Sequence, residues 1–173
     1  MSRFIKRLLS ITLILSLGSV VTSLPVQAKE LSDKELKRQI SIVKQKIPKG
    51  EEYRCPQYNQ MIKDEGLPVQ IFSYIMWRES RCQPKAIGWN YKKGKSHKNC
   101  KVSAANVYKR CSAVDSYDSG LLQINSSWTT VTQIVCGKRW GDMTVLLKEK
   151  CNIKVAKYLL YHGGGFSNWG FKV

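Results

Sequence analysis

Acidic residues are scarce in this chain: 12 Asp and Glu stand against 29 Lys and Arg over 173 residues, and none lies between Gly88 and Arg110. So one-sided a balance points to an anionic partner. Zinc-ligand spacing is also missing. No Cys-x-x-Cys pair occurs, and the two histidines, His97 and His162, are far apart, which excludes the usual structural zinc site. No apolar run is long enough to span a membrane. The longest, Leu8 to Val21, is shorter than the roughly 20 residues required and is diluted by Ser10, Ser16, Gly18 and Ser19. Internal repeats and low-complexity tracts are absent as well.

That N-terminal run follows Arg3, Lys6 and Arg7 and leads to Val26-Gln27-Ala28, a small-x-small cleavage pattern. Residues 1–28 are therefore expected to be a signal peptide, giving a secreted or periplasmic protein with no stable membrane insertion after cleavage. The 145 residues left carry 26 positive and 12 negative charges, enough chain for one domain and not for two. In an exported protein, such charge meets envelope polymers first: peptide-stem carboxylates, teichoic acids and lipid headgroups. Six cysteines, Cys55, Cys82, Cys100, Cys111, Cys136 and Cys151, all lie beyond the signal. An even number in an exported chain reads as a disulfide framework. Of fifteen available pairings, nearness along the chain favours Cys55–Cys82, Cys100–Cys111 and Cys136–Cys151.

Ser32-Asp33-Lys34-Glu35 is a capping-box pattern ahead of Leu36, Ile40, Val43 and Ile47. It predicts a basic amphipathic lead-in helix and linker over 29–52, before a domain over 53–173. Short helical patterns follow around Met61 and from Pro68 to Glu79. Gly88 to Arg110 reads as an exposed, disulfide-tied basic loop. Residues 115–128 suit a short extended piece, because Leu122 and Ile124 alternate with Gln123 and Asn125. Helices are expected around Trp128–Val135 and Thr144–Glu149. A last helix is expected to be capped by Asn152 and to end at Gly163-Gly164-Gly165. The fold class is α+β and mainly helical.

Glu79 shares a helical face with Ile71 and Ile75, so its carboxyl is expected to be partly desolvated, as suits a general acid. A surface carboxylate paired with Arg78 or Arg81 is the other reading of the same spacing. WRESRCQPKAIGWN at 77–90, DSGLLQINSSW at 118–128 and YLLYHGGGFSNW at 158–169 together resemble the three core motifs of the lysozyme-like superfamily, over most of the chain from Cys55 to Trp169. The nearest branches are the soluble lytic transglycosylases and the chicken-type lysozymes.

The resemblance implies a disulfide-stabilised lysozyme-like domain with a small extended region beside a cleft. It also implies cleavage of the β-1,4 bond between N-acetylmuramic acid and N-acetylglucosamine in peptidoglycan, by a monomer without metal or organic cofactor. It makes Glu79 the general acid and Ser80 an orienting or sugar-contacting hydroxyl. Gln123 and Asn125 would line the saccharide cleft, where amides offer both donors and acceptors. Tyr161 would be a cleft tyrosine, although Leu160-Tyr161-His162 departs from the family's alanine-tyrosine-asparagine run. Asp118 falls where chicken-type lysozymes carry a second carboxylate, with Asp115 as an alternative. A second carboxylate near the acid permits retaining hydrolysis; without one, the substrate's N-acetyl group assists and an anhydro-sugar is released. Two other classes stay open: a non-catalytic basic wall-binding module and an exported nucleic-acid binder. The second is weaker, because the basic loop offers only Trp89, Tyr91 and Tyr108 for stacking, so no specific nucleic acid is expected.

Overall fold

The computed structural model describes residues 30–99, 111–137 and 143–173. The signal peptide, Cys100 and the basic residues Lys101, Lys109 and Arg110 lie outside the described residues.

The Ser32 hydroxyl accepts the backbone N–H of Glu35, capping α1 (Asp33–Lys46) as the sequence pattern predicts. Leu36, Val43 and Ile47 are buried in the same core as the later helices, and Gln39, also buried, accepts the backbone N–H of Phe166. After α2 (Asn59–Asp64) comes α3 (Val69–Ser80), whose Ile71, Phe72, Ile75 and Met76 are fully buried and form the centre of the molecule. Arg81 ends α3 in the left-handed region at φ 55°. The amides of Arg81 and Cys82 return to the carbonyls of Trp77 and Met76, the paired closure of a Schellman-type end.

The chain then enters a three-stranded antiparallel sheet in the order β1 (Ile87–Tyr91), β2 (Val114–Ser119), β3 (Ile124–Asn125). β1 corrects the expectation of a loop from Gly88 onward: its first residues pair with β2, Gly88 opposite Asp118 and Asn90 opposite Ser116. β2 pairs with β3 through Asp118 and Asn125. Residues directly opposite share a face, so Gly88, Asn90, Ser116, Asp118 and Asn125 lie on one side of the sheet. Ser119 and Ile124 on the other side are buried.

Beyond α4 (Thr129–Cys136), the segment expected as a helix at 144–149 is a 3-10 turn, Met143–Leu147, and α5 runs from Glu149 to His162. Asn152 does not cap α5, because the cap position is Lys148. Fully buried inside the helix, Asn152 accepts the Leu122 amide at 2.9 Å and donates to the carbonyls of Ser119 and Leu146. It thereby satisfies the polar backbone of the β2–β3 turn against the core. Cys55–Cys82 and Cys136–Cys151 are bonded as nearness along the chain suggests. Cys111 is also disulfide-bonded. No helix among the described residues is long and apolar enough to cross a membrane. Disulfides persist in oxidising compartments, which fits export.

Candidate active site

Glu79 occupies the last turn of α3, one turn beyond buried Ile75, where the helix leaves the core. Its side chain is 27% exposed. Arg78 takes hold of it: Nε and Nη2 both donate to Glu79 Oε1, at 3.1 and 2.7 Å. The same Nη2 also donates to the Trp169 carbonyl, and the guanidinium lies over the Phe171 ring, 4.6 Å from its centroid. Trp169 packs edge-on against Phe72 at 5.2 Å and donates its indole N–H to the Leu122 carbonyl at 3.0 Å. A continuous chain of contacts thus joins the carboxylate of Glu79 to the turn that precedes β3.

That turn carries Gln123, whose backbone is in the left-handed region at φ 45°. Its Nε2 donates to the carbonyls of Ala86 and Gly120, and its Oε1 lies over Gly88, where an added Cβ would come within 2.9 Å. Asp118 Oδ2 is 4.0 Å from the same point, so the Gln123 amide and the Asp118 carboxylate border one spot kept open by a residue with no side chain. Asp118 is held on both oxygens, by Asn125 Nδ2 at 2.8 Å and by Asn90 Nδ2 at 2.9 Å. Both amides reach Ser116 Oγ as well. This polar network fixes the carboxylate on the outer face of the sheet. Among the described residues, three of the four non-glycine residues with positive φ, Arg81, Cys82 and Gln123, sit in the two turns beside these groups. Strained backbone of this kind collects at sites that need a particular geometry.

The structure therefore gathers Asp118, Asn125 and Gln123 around one patch and ties Glu79 to it through Trp169. Ser80 and Tyr161 are placed differently from expectation. The Ser80 hydroxyl is buried and donates to the Met76 carbonyl at 2.9 Å, so it closes the helix and does not face the patch. Tyr161 lines a separate cavity of about 470 Å³ with Tyr158, His162, Lys154 and Glu65, which none of the other expected residues reaches. Asp115 on β2 is exposed and lies one residue out of step with Ser116 and Asp118. Sequence reasoning missed Asn90, Ser116, Arg78 and Trp169. From sequence alone Arg78 offers only a competing surface pair, and Asn90 falls within the basic loop. Among the described residues, no group of three or more His, Cys, Asp or Glu side chains is gathered closely enough to hold a metal ion.

Fold and site together define an α+β, disulfide-linked domain with a carboxylate at the end of its central helix and an amide-held carboxylate on its sheet. Compared with known proteins, the chain matches no family model, no curated protein and no solved structure.

Proposed function

We propose that this protein is an exported enzyme that cleaves the glycan strands of peptidoglycan, with Glu79 as general acid. The observation that carries the reading is the placement of Glu79 at the end of α3, joined through Arg78, Trp169 and the Leu122 carbonyl to the turn beside Asp118 and Gln123. The three sequence motifs resembling the lysozyme-like superfamily fall on these elements. Asp118, oriented by two amides, suits the second carboxylate of a retaining hydrolase, the reaction expected where it works together with Glu79. The basic surface would concentrate the enzyme on anionic wall polymers, in the secreted or periplasmic space.

The test is to digest purified walls and weigh the released muropeptides. Free reducing ends are the expected product. Anhydro-sugar ends, lighter by one water, would move the enzyme to the lytic transglycosylases, and intact strands would overturn the proposal. One observation favours a second reading, a non-catalytic wall-binding module: Arg78 is ion-paired with Glu79, which must therefore carry its proton within that contact to act as an acid. Walls that pellet with the protein and stay uncut would decide for this second reading.

A further inference from the structure

The two oxygens of Glu79 are not equivalent. Both contacting nitrogens of Arg78 converge on Oε1, while Oε2 has no partner among the described residues. An oxygen that already accepts two N–H donors has no lone pair free for a proton in their direction. The guanidinium is itself fixed by groups outside α3, the Trp169 carbonyl and the Phe171 ring. Trp169 in turn is held against Phe72 and Leu122. A planar fork anchored at several points loses little further freedom on holding a carboxylate, unlike a lysine ammonium.

We propose that Arg78 is the positioning residue of the acid, holding Glu79 through Oε1 so that Oε2 is the oxygen that carries and delivers the proton. The proposal rests on the reading of Glu79 as a general acid. In the step, the proton on Oε2 passes to the bridging oxygen of the glycosidic bond as the bond from that oxygen to the anomeric carbon breaks. The bonding pair stays with the departing oxygen, positive charge is left on the anomeric carbon, and Glu79 becomes a carboxylate. The guanidinium already at Oε1 then stabilises the new negative charge without having to move, which is how preorganised groups lower a barrier. The C-terminal turn Gly165–Trp169, with Phe171 beyond it, is thus the anchor of the reacting carboxyl as well as part of the core.

The experiment measures kcat, KM and thermal unfolding on solubilised, peptide-free glycan strands for the full chain, Arg78→Met, Arg78→Lys and Glu79→Gln. Misplacing a reacting group by about 1 Å can cost on the order of a hundredfold. Arg78→Met is expected to lower kcat by about 10- to 100-fold with KM nearly unchanged. Arg78→Lys should recover only part of the loss, because one ammonium cannot reproduce the fork. A merely structural residue would lower the unfolding temperature and leave kcat intact well below it. A folded Arg78→Met or Arg78→Lys protein with the parent's kcat would therefore overturn the proposal. Wild-type rates in Glu79→Gln, or an inactive parent chain, would instead remove the underlying reading, and the proposal with it.

Discussion

Asn152 shows how a single residue can be legible in type and misread in role. Asparagine ahead of an apolar helical stripe resembles a cap, but here its side chain is buried and serves three backbone groups from outside its own turn. Nothing in one sequence marks a side chain that points into a core to meet a strand turn. Asn152→Ala should leave those groups unsatisfied, costing about 1–3 kcal/mol in stability, and should loosen the turn between Asp118 and Gln123. Chemical denaturation checks the first effect, and an unchanged midpoint would contradict it. Gly120 shares the constraint: at φ 78°, its added Cβ would collide with the Leu146 carbonyl and the Asn152 amide. Gly88 makes the opposite case, since only the Gln123 side chain crowds it closely. Gly88→Ala should displace the tethered Gln123 amide and reduce wall cleavage, with a stability change below about 1 kcal/mol because the backbone can stay in place. Equal activity in a turbidity assay would show that the open spot is not used.

Helices were legible because each carries its own periodicity and punctuation: the capping box of α1, the apolar face of α3 and the glycines after α5 are all local signals. The sheet was not. Ile87, Trp89 and Tyr91 alternate with Gly88 and Asn90, but the run is short and leads into a basic tract, and it becomes a strand by pairing with residues 114–119 across the intervening chain. Asn90 was invisible as a site residue for the same reason, since its closeness to Asp118 is a product of register. At the start of α1, Arg38 and then Gln39 hydrogen-bond the Glu35 carboxylate and hold its pKa at about 2, below the ordinary 4.5. A lowered carboxylate pKa contributes stability that is complete above the unfolded value and is lost as pH falls through the folded one. Glu35→Gln should therefore weaken the docking of α1 above about pH 4.5, and the difference from the parent should vanish on approaching pH 2. Thermal unfolding of both proteins across that range tests the sign. A difference that grew on acidification would contradict it.

At the scale of the whole molecule, the excess of positive charge stands apart from the chemistry. Lys92, Lys93, Lys95 and Lys98 are all exposed, beyond the end of β1. Attraction between exposed charges is screened as the Debye length falls from about 10 Å at 0.1 M salt to about 3 Å at 1 M. Replacing the four lysines with glutamine should reduce wall pelleting at low salt and flatten its salt dependence. Parental affinity and salt slope would make the tract no more than a solvated surface. Glu79, Asp118, Gln123 and Asn125 were readable as parts of motifs because each lies beside distinctive neighbours. Arg78 and Trp169 acquire their parts only when the C-terminal turn packs against α3, a contact spanning 91 positions. The proposed activity depends on Glu79, and the most direct measurement compares wall cleavage by the parent chain with that by Glu79→Gln, each shown to be folded by its thermal transition. Loss of a general acid removes roughly a hundredfold to ten-thousandfold in rate. A fall of that order with the fold retained is the expected result, and parental cleavage by folded Glu79→Gln would contradict the role proposed for this carboxyl.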